Sequence, residues 1–215
     1  MTQTCPHITA GCGIPDGECL GACLSDPAPK PSRRPQLIGL IGPAGSGKDT
    51  VRQFLEEDFD YAGTAFAEPM RVMVRALFDH LGISHDYIDL RERKEVVIPE
   101  LGVSYRHIMQ TLGTEWAQQC LGRDFWIRCA ALIMNQAESF GYRRVVFSDV
   151  RFVPEADWIK ERGGQLWRID RPEVTPVREH VSESVGKLID CDRTIQNDGS
   201  LDLLWLRVNN AVHGE

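Results

Sequence analysis

No apolar run in this sequence approaches the roughly 20 residues that a membrane-spanning helix requires, so a soluble protein is expected. Nor is there an excess of basic residues: 24 Lys and Arg stand against 31 Asp and Glu, a net charge of -7 with pI ≈ 5.4. That balance argues against a partner such as duplex nucleic acid, which requires a basic face to meet its phosphates. It leaves room for a small anionic ligand gripped by a local cluster of arginines. The opening Met1-Thr2-Gln3-Thr4-Cys5 lacks the basic-then-apolar layout of a signal peptide, which makes a cytoplasmic location the default and a membrane partner unexpected. Internal repeats are absent too. Cysteine is thin after position 23, where Cys120, Cys129 and Cys191 read as small buried hydrophobes in a reducing compartment. What is present, 215 residues with 42% hydrophobic and 26% charged, suffices for one domain with a real core and a short appendage.

The appendage is residues 1–35, rich in Cys, Gly and Pro and poor in large apolar side chains. It ends in a tail whose prolines (Pro27, Pro29, Pro31 and Pro35) keep it extended, as in a linker. Cys5, Cys12, Cys19 and Cys23 offer four thiolates, with His7 nearby. Tetrahedral Zn2+ would suit them and could fold a segment with almost no core of its own. The spacing is not a pair of Cys-x2-Cys knuckles, so a disordered tail stands as the alternative.

Residues 36–215 form the second unit, and here strands alternate with helices. Leu37-Ile38-Gly39-Leu40-Ile41 is apolar without alternation, which suits a strand buried on both faces of a parallel sheet. A helix follows over Thr50 to Asp58, then a strand over Gly63 to Ala67 and a helix from Pro69 with Met70, Met73, Val74, Leu77 and Leu81 on one face. Residues 85–99 are charged and irregular and are expected to form an exposed excursion. Ser104 is a fair cap for a helix whose Tyr105, Ile108, Met109, Leu112 and Trp116 share a face, and Asp124 caps the next. Val145 to Phe147 and Gln165 to Ile169 are further strands, with a helix between them from Pro154 to Arg162. Asn197-Asp198-Gly199 turns into a last helix, and residues 171–186 are a polar loop with the composition of a lid. This pattern predicts an α/β fold with a mainly parallel sheet.

Gly42-Pro43-Ala44-Gly45-Ser46-Gly47-Lys48 lies directly between the first strand and the first helix. Glycines in that place let backbone N–H groups turn around phosphate oxygens, the helix N-terminus adds positive potential, and Lys48 reaches the β- and γ-phosphates. The expectation is a three-layer sandwich of the P-loop NTPase type, binding a nucleoside triphosphate such as ATP. After the lysine such loops usually carry Ser or Thr for Mg2+, whereas Asp49 and then Thr50 stand here. Either Asp49 or Thr50 could approach the metal, or Asp49 could act only on the helix dipole.

Ligands of parallel sheets sit at the carboxyl ends of strands, where Asp149 falls, followed by Arg151. An aspartate there can hold the metal shell or orient an acceptor, and an arginine can clamp phosphate. Arg168, Arg171 and Arg178 lie in or beside the lid, with Arg171 best placed just beyond a strand end. Arg106 and Gln110 are one helical turn apart and point the same way, either to an acceptor nucleotide or to solvent.

Several segments together resemble the phage-type deoxynucleoside monophosphate kinases. They are Gly42 to Thr50, Phe66-Ala67-Glu68-Pro69-Met70-Arg71, Met109-Gln110-Thr111-Leu112-Gly113-Thr114-Glu115-Trp116, Gly122-Arg123-Asp124-Phe125-Trp126, Asp149-Val150-Arg151-Phe152 and His180-Val181-Ser182-Glu183. The resemblance spans residues 37–210. It implies ATP, Mg2+, a deoxynucleoside monophosphate acceptor and a diphosphate product, and, for a phage-encoded protein, the host cytoplasm. It implies that Glu68, Arg71, Arg106, Gln110, Trp116 and Arg151 border the acceptor and that Lys48, Asp149, Arg151 and Arg171 serve catalysis. It is compatible with a homodimer. Ala117-Gln118 stands where such proteins often have Gly-Arg, so an arginine for the acceptor phosphate is missing there. Two rival readings are a kinase for another small metabolite, of the dephospho-coenzyme A kinase kind, and a nucleotide-dependent binding module with a zinc-binding head.

Overall fold

The computed structural model describes residues 36–172 and 189–214. The cysteine-rich head and most of the expected lid, including Arg178 and His180 to Glu183, lie outside the described residues. Five strands form one sheet: β1 (Leu37–Ile41), β2 (Ala62–Thr64), β5 (Val145–Phe147), β6 (Gln165–Asp170) and β7 (Arg193–Gln196). Their order is β2-β5-β1-β6-β7 and every pairing is parallel. A small antiparallel pair, β3 (Val97–Ile98) with β4 (Val103–Ser104), stands apart.

The period-two rule for strands divides β1 between two cores. Ile38 and Leu40 face α1 (Lys48–Phe59) and the last helix α7 (Leu201–His213), where Val51, Leu55, Trp167 and Val208 are buried. Leu37 and Ile41 face the other side, among Val145, Phe147 and Leu166 of the sheet. Ala130 of α5 (Phe125–Ser139) and Trp158 and Ile159 of α6 (Val153–Glu161) cover them there. Helices on both faces make a three-layer sandwich and leave β1 with no wet side. Trp167 is wholly buried, and its indole N–H donates to Gln165 Oε1 at 2.9 Å. Gly39 is required by packing: a β-carbon there would lie 2.5 Å from Ile159 Cδ1 and hold α6 off the sheet.

A third core joins α2 (Glu68–Leu81), α3 (Asp86–Asp89), β3 and α4 (Tyr105–Gln110) through Val74, Phe78, Ile83, Ile88, Ile98 and Tyr105. Residues 85–99 are mostly exposed, as expected, but they are in part a folded unit, with α3, a 3-10 turn (Arg91–Arg93) and β3. Its buried apolar anchors are Ile88 and Ile98, with Tyr87 partly buried beside them, too few to stand out among its charges.

Three further differences have local causes. β2 ends at Thr64 because the amides of Phe66 and Ala67 turn away from the ladder to a side chain of β5's end. β7 carries a single buried residue, Ile195, so no apolar run announced it. The helix capped by Ser104, whose Oγ accepts from His107 N at 3.2 Å, changes winding at Thr111 and continues π-wound to Leu121. The wider turn, with i→i+5 bonding, rotates later residues off the α-helical face. Hence Ile108, Met109 and Leu112 pack in the third core, while Trp116 joins Phe125 and Trp126 at ring distances of 6.0 and 6.3 Å. Asp124 makes no side-chain cap to α5 and instead accepts from Arg128 Nε at 2.8 Å. No helix among the described residues is long and apolar enough to cross a membrane.

Candidate active site

The chain passes from β1 to one side of the sheet and later from β5 to the other, which opens a crevice at the carboxyl end of β1. The loop 42–48 fills that position. Gly42 and Gly47 have φ of 155° and 103°. A β-carbon on Gly42 would lie 2.5 Å from Ile169 O, and one on Gly47 would collide with Asn197 Nδ2. Gly47 precedes α1 without any side-chain cap, so the first-turn amides of the helix are left for an anion. Ser46 is wholly buried in the loop, and its Oγ has no hydrogen-bond partner among the described residues. Lys48 Nζ donates to Gly42 O at 2.8 Å and Pro43 O at 2.7 Å, bending back over the loop that it serves.

Asn197 braces the loop from the far side. Its Nδ2 donates to Ser46 O at 2.8 Å and its backbone N–H to Asp170 O at 2.7 Å. In the sequence it is only the first residue of a turn. A contact spanning 151 positions leaves no local signal.

Asp149 is 6% exposed at the end of β5. Its Oδ1 accepts from Phe66 N at 2.7 Å and its Oδ2 from Ala67 N at 3.1 Å, just before α2 begins. The carboxylate thus ties the central sheet to the helix bearing Glu68 and Arg71, which pair at 3.3 Å. Two residues on, the Arg151 side chain is exposed, while its backbone N–H donates to Glu155 Oε2 at 2.8 Å. The same oxygen accepts from Phe152 N at 3.1 Å, closing the first turn of α6. Burial, with the Asp149 carboxylate nearby, pushes the Glu155 pKa up to about 8 against the opposing pull of those amides. Nothing in the sequence singled out Glu155.

Of the residues expected to border an acceptor, Arg106 is ion-paired with Glu95, and its backbone N–H donates to Lys94 O at 3.0 Å. Gln110 is half-buried and its backbone carbonyl accepts from Thr114 Oγ1 at 2.7 Å. Trp116 lies in the aromatic group already described, whose Trp126 donates to Gly113 O at 3.2 Å. Burial and the charges of Arg71 and Arg106 hold the Lys94 pKa below its ordinary value, with Asp49 pulling the other way. Lys94 is a further residue that sequence reasoning passed over. Arg168 is occupied by Ile189 O at 2.8 Å and Cys191 Sγ at 3.3 Å. Arg171 is exposed beyond the end of β6.

Magnesium takes hard oxygen donors and is usually held by one or two protein groups together with phosphates. Asp49 and Thr50, in the first turn of α1 beside the loop, fit that donor set. Among the described residues no group of His, Cys, Asp and Glu forms a metal cage on its own.

A phosphate-cradling loop at the carboxyl end of the central strand, with cations on the neighbouring helices, defines a P-loop phosphotransferase. Residues 91–208 match the family model described as deoxynucleotide monophosphate kinase. A protein of Acanthamoeba polyphaga mimivirus bearing that family's name is 33% identical over 192 residues, covering 82% of this chain and 95% of its own. The deoxynucleotide monophosphate kinase of Enterobacteria phage T4 is 29% identical over 109 residues, 51% of this chain and 45% of its own. Among solved structures, TT1252 from Thermus thermophilus aligns over 84% of this chain and 97% of its own, with 16% identity and a TM-score of 0.48. The chain belongs to the deoxynucleotide monophosphate kinase family.

Proposed function

We propose that this protein transfers the terminal phosphoryl group of ATP to a deoxynucleoside monophosphate, giving the diphosphate and ADP. The observation that carries the reading is the meeting of two sites at one end of the sheet. One is the loop 42–48 with its open helix amides; the other is a set of cations in which Lys94 feels Arg71 and Arg106 together with Asp49.

An oxygen of the acceptor phosphate forms the new bond to the γ-phosphorus, and the bond to the β,γ-bridging oxygen breaks. ADP leaves with that electron pair. A phosphate monoester with a second pKa of about 6 is already ionised at neutral pH, so no protein base is required. The protein's work is positioning and charge neutralisation. Lys48 moves from the loop carbonyls to the β- and γ-phosphates, and the loop amides hold the remaining oxygens. Arg151 and Arg171 balance charge as it spreads over the transferring group, and Glu68, Arg71, Arg106, Gln110 and Trp116 hold the acceptor. Asp149 acts by fixing the turn into α2, so that Arg71 meets the acceptor in one geometry. Mg2+, where bound, would be held by Asp49 or Thr50 and would neutralise charge on the donor's phosphates.

An ADP-release assay across the deoxynucleoside monophosphates tests the reading. Turnover with at least one is expected; none with any, despite measurable ATP binding, would overturn it. In the head, Zn2+ on Cys5, Cys12, Cys19 and Cys23 remains part of the proposal, supported by four thiolates in a segment poor in apolar residues. Metal analysis of the full chain should find stoichiometric zinc that is lost in Cys19→Ser/Cys23→Ser; its absence from the wild type would dismiss it.

A further inference from the structure

The 3-10 turn Arg91–Arg93 and the residue after it bring two cations to the phosphate loop and the acceptor face. A β-carbon on Gly45 would lie 3.1 Å from Arg91 Nη1, 3.4 Å from Nη2 and 3.6 Å from Cζ, so the guanidinium lies over the tip of the loop. Its neighbours are otherwise engaged. Arg93 pairs with Asp86 at 3.2 Å and stacks 4.5 Å above Tyr87; Arg75 pairs with Asp89, and Arg106 with Glu95. Arg91 has no carboxylate partner among the described residues.

Lys94 is half-buried and likewise lacks an ion pair among the described residues. It is set among the like charges of Arg71 and Arg106, which with burial depress its pKa. Arg71 and Arg106 have their own partners in Glu68 and Glu95, and Asp49 and Asp89 pull the other way, yet burial and the two guanidinium groups together still disfavour the Lys94 charge. Such an arrangement is relieved when a multiply charged anion enters. The turn is also held firmly: Arg93 N donates to Leu90 O and Val96 N to Arg93 O, each at 3.0 Å, while Arg106 N donates to Lys94 O at 3.0 Å. Ile88 and Ile98 anchor it on either side in the third core.

We propose that Arg91 contacts the β- and γ-phosphates of the donor and that Lys94 bridges the γ-phosphate and the acceptor phosphate. Both are catalytic residues supplied by the α3–β3 connection and not by the 171–186 lid. The proposal rests on the kinase reading and deepens it. During transfer, negative charge moves from the γ-phosphoryl oxygens toward ADP. Arg91, over the loop tip, neutralises the donor end with its planar fork, and Lys94 offsets the repulsion between two approaching phosphates.

The test uses the full chain with Arg91→Ala and Lys94→Met, the latter keeping the aliphatic stem. Both should melt like the wild type and lose about 100-fold or more in kcat with ATP and the preferred monophosphate. Equilibrium binding separates the donor role from turnover. R91A should bind the β,γ-imido analogue of ATP about ten-fold more weakly while holding ADP less than about three-fold more weakly. K94M should raise the acceptor KM, and Lys94→Arg should recover part of the loss. Either residue is removed from the proposal if its variant stays within about three-fold of wild type in kcat and in its own binding measure. Equal weakening of ADP and the analogue in R91A would also overturn the γ-phosphate contact. Failure of the wild type to phosphorylate any monophosphate would defeat the kinase reading instead, and the analogue-against-ADP comparison would still judge Arg91.

Discussion

Removing the Asp149 carboxylate tests how the start of α2 is tied to the sheet. In Asp149→Ala the amides of Phe66 and Ala67 lose acceptors at 2.7 and 3.1 Å. Phe66 is 2% exposed, so its N–H has no ready access to water, whereas half-buried Ala67 regains some hydration. An unsatisfied buried donor costs about 1–3 kcal/mol, the upper part of which applies to Phe66 and the lower to Ala67, for about 3–4 kcal/mol in sum. For a domain of this size that lowers Tm by about 6–15 °C. Ser148 N and Oγ still donate to Thr64 O at 3.0 and 3.3 Å, so the β2–β5 pairing survives and the damage is confined to the turn into α2. Asp149→Asn keeps one oxygen and should fall between the two. Thermal melts at pH 7 give the order wild type, Asn, Ala, and steady-state kinetics should show the acceptor KM rising more than that for ATP. A Tm for D149A within about 2 °C of wild type would refute the bracket. An unchanged Tm combined with a raised magnesium requirement would make Asp149 a metal ligand instead.

Lys48→Ala should reduce turnover by about 100-fold or more, measured by ADP release; unchanged turnover would remove the loop from the reaction. Arg151→Ala, whose side chain is exposed and whose structural bond is made by its backbone, should weaken acceptor use more than ATP binding without changing Tm. An effect confined to ATP affinity would move Arg151 to the donor side. Glu155, with its pKa raised to about 8 by burial and Asp149, favours its protonated form in the folded state. Its contribution is complete below its ordinary pKa of 4.5 and is lost as pH rises through about 8. Glu155→Gln retains an oxygen for both amides, since both bonds reach Oε2. Melts between pH 5 and 9 should therefore show a shallower fall in the variant, which overtakes wild type at the alkaline end; parallel curves would refute the assignment.

Much of the fold was readable because local rules governed it. An unbroken apolar β1, a glycine loop and a following helix require only nearest neighbours along the chain, and Gly42 to Lys48 stands where those rules put it. Ser104 capping α4 and Pro154 at the start of α6 are local in the same sense. β7 was not legible, since an edge strand holding one buried residue has no hydropathy signature. The face carrying Trp116 was misread because α-helical periodicity was applied across a π-wound stretch, where the side-chain angle per residue is smaller.

By itself the sequence determined the α/β class, the phosphate loop and, through segments spread along the chain, the kinase family. Tertiary structure alone decided which charges meet. Asp149 reaches amides more than 80 positions away, Asn197 reaches Ser46 across 151, and Arg91 lies over Gly45 from a turn in another core. Each depends on how helices seat on the sheet, and so on summed packing that no window of sequence contains. The influence of Arg71 and Arg106 on partly buried Lys94 likewise exists only once folding has brought them together.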